Sequence, residues 1–337
     1  MCGLSGYIGL DIAAEDKLML ILGLGDGIDG RGGHSCGYAS VTFSTKDGEA
    51  DDVKYARKKG TWLRARVRFV EGAAGDVCLM HARFATCGSR EDPMNAHPFA
   101  IRRGGRVVMW GAHNGMVPDA FKSAKQNGRD INVDSQEIFE LLADKNYDGI
   151  REMVGYGVVT WIDTDHRGYV NLCRLSQHSD ICVVSVKGGG VVWGSTWKIV
   201  REALKVADLE VDREFKIDEI GRVYRIRADG VFKTKLSGIQ VGYYNKYTKS
   251  RTDHSSSTST VVTVKPANDE IDEEAVVETK VPGDSYGGSC TTGSGAYSPY
   301  PSSWKKDDKT EVKGDKSEVE DDEELAAYYR GYYGQMD

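Results

Sequence analysis

Between Arg106 and Gly194 the chain repeats short runs rich in valine, isoleucine and aromatic residues, at 106–110, 158–162, 169–175, 181–186 and 191–194. Two of the connections, Asp163-Thr164-Asp165-His166-Arg167-Gly168 and Lys187-Gly188-Gly189-Gly190, are polar and carry turn chemistry. A parallel crossover takes about a dozen residues or more, so these strands are expected to pair antiparallel. Strands apolar on both faces need cover on both sides. Helices are expected over Glu15 to Leu24, from a cap at Asp134 or Ser135 to about Ala143, and from Ser195 or Thr196 through Val200, Ala203 and Leu204. Periodicity alone therefore indicates a mixed α/β fold.

The pattern stops near residue 247. A hydroxyl run at Ser255 to Thr260, an acidic cluster at Asp269 to Glu274 and a Gly-, Ser-, Tyr- and Pro-rich stretch from Pro282 to Ser303 follow. Little there repays the entropy of ordering, so residues 2–247 are read as one domain and 248–337 as a mostly disordered acidic tail. Residues 323–333, with Leu325, Tyr328, Tyr329 and Tyr332 at helical spacing, are the part of the tail that suits a short docking helix, although Gly331 and Gly334 oppose it. The tail from Lys265 holds 18 acidic against 8 basic residues, so the net charge of −7 belongs to it and the body is nearly balanced. No basic stripe points to nucleic acid. No run approaches the ~20 apolar residues of a membrane span, and the start lacks a signal-peptide pattern. Seven scattered cysteines, without a Cys-x-x-Cys pair, support neither a disulfide framework nor a metal site, and suit a reducing, cytoplasmic setting.

Cys2 is small enough for the initiator methionine to be trimmed. Its thiol would then share a residue with a free α-amine titrating near ~8, a nucleophile and a base matched to neutral pH. Four further motifs follow in order: Arg31-Gly32-Gly33-His34-Ser35-Cys36-Gly37; His81-Ala82-Arg83-Phe84-Ala85-Thr86-Cys87-Gly88, running on to Asn95-Ala96-His97-Pro98; Trp110-Gly111-Ala112-His113-Asn114-Gly115; and Asp134-Ser135-Gln136-Glu137-Ile138. Together with Cys2-Gly3-Leu4-Ser5-Gly6-Tyr7-Ile8-Gly9, the series resembles the glutaminase domain of class II glutamine amidotransferases, the amino-terminal-nucleophile type, over roughly residues 2–230.

That resemblance implies an α+β fold, the four-layer αββα sandwich of antiparallel sheets. It implies hydrolysis of the glutamine side-chain amide through a Cys2 thioester, with Asn114 and Gly115 as the oxyanion hole, and no cofactor or metal. Arg83 would take the substrate α-carboxylate and Asp134 its α-ammonium, with Thr86 adding a contact. Arg31, His97 and His113 would play supporting roles. Physically, an Asn-Gly loop just after a strand presents fixed donors where charge develops, although the same dipeptide is also the commonest type I′ hairpin turn. Gly3 and Gly6 are expected to let backbone approach the nucleophile closely. His34, Phe84, Cys87 and Gln136 depart from the family's usual Asp, Trp, His and Glu, which touches loop closure and signalling to a partner domain.

Gly25-x-Gly27-x-x-Gly30 matches the dinucleotide fingerprint by spacing, but no βαβ unit surrounds it, and it is read as a flexible loop leading to Arg31. Three functions remain, in order. The first is a stand-alone glutaminase that passes ammonia to a separate synthase subunit, in the host cytoplasm if the chain is of bacteriophage origin. The second is a hydrolase of a γ-glutamyl amide in a biosynthetic intermediate. The third is a non-catalytic interaction protein using the fold and tail.

Overall fold

In the computed structural model, residues 1–44, 51–65, 67–165, 168–243, 274–275 and 278–280 are described. The strands in chain order are β1 Gly3–Ile8, β2 Ser35–Thr42, β3 Asp52–Lys59, β4 Val77–Arg83, β5 Phe99–Arg103, β6 Arg106–Met116, β7 Val154–Asp163, β8 Val170–Arg174, β9 Cys182–Val186, β10 Val191–Gly194, β11 Val211–Phe215, β12 Val223–Arg227, β13 Gly230–Lys233, β14 Gly242–Tyr243, β15 Glu274–Ala275 and β16 Glu278–Lys280. The helices are α1 Ala14–Asp29, α2 Val67–Gly72, α3 Ala120–Gln126, α4 Asp134–Ala143, α5 Tyr147–Arg151 and α6 Trp197–Val206.

The first sheet runs β16-β11-β9-β10-β1-β4-β2-β3 and the second β15-β13-β12-β8-β7-β6-β5, with β14 beside β7. Every pairing is antiparallel except β14 with β7. Three apolar layers follow. Leu4, Ile8, Leu79, Val158, Leu172, Val183, Trp193 and Tyr224 fill the space between the sheets. Leu20, Ile21, Leu24 and Ile28 of α1 pack with Ile199, Val200 and Ala203 of α6 over Tyr7, Tyr38, Met80 and Val192. Ile138, Phe139 and Leu142 of α4 cover Phe99, Ile101, Val159 and Trp161 on the outside of the second sheet. Alternate side chains of one strand thus enter different layers: Leu4 and Ile8 face inward, Tyr7 outward. This is the expected αββα sandwich.

Several local expectations change. The Gly25-Gly27-Gly30 stretch is not a loop. It is the second half of α1, with Gly30 as its C-cap. Glycine disfavours helix by ~1 kcal/mol, but here close packing overrides propensity. A Cβ at Gly23 would sit 2.7 Å from the Ala203 Cα, and one at Gly27 2.9 Å from Ile199 Cγ2. Gly3 and Gly6 likewise serve packing. A Cβ at Gly3 would meet Ile28 at 2.5 Å and one at Gly6 the Trp193 ring at 2.3 Å. Asp134 is the first residue of α4 rather than its cap, and Val133 holds the cap position. The Gln136 carboxamide oxygen turns back to accept the Asn132 and Val133 N–H groups at 2.8 and 3.1 Å. Thr196 caps α6 as expected, its hydroxyl accepting from the Ile199 N–H at 3.3 Å. From the expected tail, β15 joins β13 and β16 joins β11. The rest of 248–337, including the segment 323–333, lies outside the described residues.

Candidate active site

Cys2 immediately precedes β1, whose pairing sets Gly3 opposite Ala82 of β4. Continuing that register brings Cys2 to the end of β4, where Arg83 and Phe84 follow. There the thiol is seated on one peptide unit's neighbours: the Phe84 N–H donates to Sγ at 3.4 Å, and Sγ–H donates to the Phe84 carbonyl at 3.6 Å. Burial pushes the Cys2 thiol above its ordinary value, with the Phe84 hydrogen bond and the nearby terminal ammonium pulling the other way. A base is therefore needed to make the thiolate. The terminal amine, on Met1, is lowered by burial and by the Arg31 guanidinium. Arg31 follows the end of α1 and donates from Nε to the Cys2 carbonyl at 3.0 Å.

Arg83 ends β4 and is 2% exposed, not a surface charge. Its Nη1 donates to the Ser89 carbonyl at 2.9 Å and its Nη2 to the Cys87 carbonyl at 2.5 Å. The guanidinium thus shapes the 84–89 loop, which turns at Gly88 with φ of +70°. Both Arg83 and Asp134 lie near enough to act electrostatically on the Cys2 thiol. Thr86 is exposed on the same loop, against the Cys87 thiol.

His34 supports this segment from the other side. Its ring stacks on Phe84, with centroids 4.8 Å apart, and its Nδ1 accepts the Ala85 N–H at 2.9 Å. That bond requires the proton of a neutral ring to sit on Nε2. Burial, followed by the charges of Arg90, Arg83 and the terminus, lowers the His34 pKa, while Glu91 acts in the opposite sense.

Asn114 and Gly115 are neither a loop nor a hairpin turn. They lie within β6, Asn114 opposite Val158 and Gly115 opposite Gly157 of β7. The dipeptide continues the strand because glycines on both sides allow it: a Cβ at Gly115 would fall 2.4 Å from the Gly157 Cα. Asn114 Nδ2 donates to Ser195 Oγ at 3.0 Å. Ser195, at the end of β10, was expected only as a helix start. Its hydroxyl also accepts the Leu4 N–H at 2.8 Å and donates to the Leu4 carbonyl at 3.1 Å.

Asp134 is 4% exposed. Its carboxylate accepts the Val117 N–H at 2.7 Å, the Ser135 N–H at 2.9 Å and the Ser135 hydroxyl at 3.3 Å, and the Cys87 thiol lies 3.7 Å away. Behind it is a buried cluster. His113 Nδ1 is 2.9 Å from Ser135 Oγ, His81 Nε2 is 3.2 Å from the His113 carbonyl, and His97 Nδ1 is 2.8 Å from His81 Nε2. Burial lowers all three imidazoles, His81 to about 3, which favours neutral rings that pack. His81 was not singled out from the sequence, although its place two residues before Arg83 puts it on the same strand.

Among the described residues no group of His, Cys, Asp and Glu is placed to hold a metal ion, and six cysteines are free thiols. Among them, no helix is long and apolar enough to cross a membrane.

No protein-family model matches the chain. Over 156 residues it is 30% identical to glutamine–fructose-6-phosphate aminotransferase (isomerizing) of Aquifex aeolicus strain VF5, covering 44% of this chain and 24% of that protein. The chain thus matches about a quarter of that relative's length. Among solved structures, glutamine phosphoribosylpyrophosphate amidotransferase from B. subtilis, complexed with ADP and GMP, superposes with a TM-score of 0.52 at 18% identity, over 69% of this chain and 48% of the other. A structure described as the allosteric regulatory enzyme of purine biosynthesis gives 0.51 at 16%, over 68% and 48%. At such identities the likeness is one of fold. In its ordered motifs, its partial sequence match and its sandwich, the chain resembles the glutaminase domain of the class II, amino-terminal-nucleophile glutamine amidotransferases.

Proposed function

We propose that this chain hydrolyses L-glutamine to glutamate and ammonia at Cys2 once Met1 has been removed. The observation that carries this reading is the seat of the thiol: a half-buried Sγ on the Phe84 backbone, with Arg83 and Asp134 near enough to act on it electrostatically and the Asn114 amide joined through Ser195 to Leu4, two residues on. Removal of Met1 moves the free amine onto Cys2, beside Arg31. Burial and that positive charge lower the pKa of the amine at this end of the chain, which favours the free base that accepts the thiol proton. The thiolate attacks the side-chain amide carbon. The second hydrogen of Asn114 Nδ2, together with the Gly115 N–H, receives the oxyanion, one such donor being worth ~10²–10³ in turnover. The α-ammonium returns its proton to the departing nitrogen, ammonia leaves, and a thioester remains. Water then attacks it, releasing glutamate and restoring the thiol. Remaining donors of Arg83 hold the substrate α-carboxylate, and Asp134 its α-ammonium.

The ammonia belongs to the same proposal. Free ammonia is mostly protonated at neutral pH and no longer nucleophilic, so a separate synthase polypeptide is the acceptor, in the reducing cytoplasm that a working thiol needs. Intact mass of the native protein is expected to lack Met1. A glutamine-analogue electrophile is expected to add once, at Cys2, and glutamate release to vanish in Cys2→Ala. Retained Met1 in an active enzyme, or turnover surviving in Cys2→Ala, overturns the mechanism.

A further inference from the structure

The Ser195 side chain ties the nucleophile's strand to the oxyanion donor. Its hydroxyl is saturated: one proton given to the Leu4 carbonyl, two lone pairs taken up by the Leu4 N–H and by Asn114 Nδ2. Its own N–H also donates to the Leu4 carbonyl, at 2.8 Å. Leu4 is two residues from Cys2 on β1 of the first sheet, and Asn114 is on β6 of the second. The residue is 3% exposed, so no water competes for these bonds.

A primary amide has two hydrogens. With one committed to Ser195 Oγ, the Asn114 amide plane cannot rotate, and its second hydrogen has one direction. Without that bond the amide turns about its side-chain torsions and the donor leaves its aim. We infer that Ser195 is a positioning residue for catalysis, which fixes the Asn114 amide relative to Cys2 by bridging the two sheets. The inference rests on the glutaminase reading above and deepens it. Ser195 touches neither substrate nor reacting atoms. It acts through Asn114.

The test is a double-mutant cycle on the full chain with glutamine as substrate, with alkylation of Cys2 by iodoacetamide measured alongside. Displacement on iodoacetamide needs the thiolate but no oxyanion hole. Ser195→Ala is expected to lower kcat about 10- to 100-fold, as misplacement of a catalytic group by about 1 Å does, with KM and the alkylation rate within about twofold of wild type. In an Asn114→Ala background the same substitution is expected to cost less than about threefold, since its target is gone. Ser195→Thr, which keeps Oγ, is expected within about fivefold of wild type and supplies the comparison should the alanine variant not fold. A full, additive loss in the Asn114→Ala background overturns the proposal, as does a fall in alkylation matching that in kcat, or a threonine variant as impaired as alanine. If Asn114→Ala itself leaves turnover intact, the oxyanion assignment fails instead, a result distinct from the failure of Ser195 alone.

Discussion

The first sheet delivers Cys2 and Arg83 from the adjoining ends of β1 and β4, strands paired along their whole length from Gly3 against Ala82 to Ile8 against Val77. The second sheet delivers Asn114 and Gly115 from β6, and α4 beside it delivers Asp134, through side chains: Ser195 on the Asn114 amide, Ser135 between His113 and Asp134, and the His81–His97 pair behind. In one half backbone hydrogen bonds set the position of the reacting group. In the other a buried polar network does. Backbone ladders do not titrate and survive most substitutions. A polar network is specific, but losing one member strands the others, at ~1–3 kcal/mol for each unsatisfied group.

The largest expected effect breaks the first half. Cys2→Ala removes the nucleophile without disturbing the β1–β4 ladder, so turnover should fall at least ~10⁴-fold with an unchanged melting temperature. Asn114→Ala breaks the second half at its chemical end and should cost ~10²–10³ in kcat, measured by glutamate release, with KM nearly constant. Arg83→Lys sharpens the comparison, because the charge stays while the planar fork is lost. KM for glutamine should rise ~10- to 100-fold, with some loss of stability as the Ser89 and Cys87 carbonyls lose their donors.

A fourth prediction probes the buried polar network by pH. His81, His97 and His113 are held below their ordinary values by burial, so the unfolded chain takes up protons first. Their contribution to stability is complete above pH ~6.5 and is lost as pH falls toward the folded values, about 3 for His81. Urea midpoints should decline steadily from pH 7 to pH 4, and a flat profile would contradict neutral burial of the cluster. The smallest effect lies far from the chemistry. Gly23→Ala places a Cβ 2.7 Å from the Ala203 Cα, where overpacking of ~1–3 kcal/mol outweighs the ~1 kcal/mol gained in helix propensity. The melting temperature should drop a few degrees while turnover holds, because α1 meets α6 on the face away from the oxyanion donor.

Much of the site was legible because its chemistry is carried by short contiguous motifs. Cys2, the Arg83 block and Asp134 each stand at an element's end, and Asn114-Gly115 is a contiguous pair near the end of β6, so a residue type and its neighbours are read together. What escaped reading shares a different character. His34 is one ring in a loop, and its role exists only because Phe84 and Ala85, some fifty residues on, fold against it. Ser195 and Thr196 were both candidate caps in the sequence, Thr196 takes that place, and the bonds of Ser195 to Leu4 and Asn114 were not legible. Asn114-Gly115 has the composition of a turn and lies in a strand, since local preference yields where β7 supplies Gly157 opposite.

Sequence pattern by itself determined a mixed α/β fold with antiparallel pairing, and the four-layer plan came from the family resemblance. Apolar runs joined by turns too short for crossovers favour antiparallel pairing, and strands apolar on both faces need cover on both sides. It also singled out candidate reactive groups, because nucleophilicity, charge and hydrogen-bonding capacity are properties of residue types. Only the tertiary structure decided how those groups meet: that one serine hydroxyl joins Leu4 to Asn114 across 110 positions of chain, that α1 remains helical through three glycines, and that burial lowers the pKa of three histidines. Such contacts depend on the register and spacing of whole layers, a sum of many weak packing terms that no local window contains.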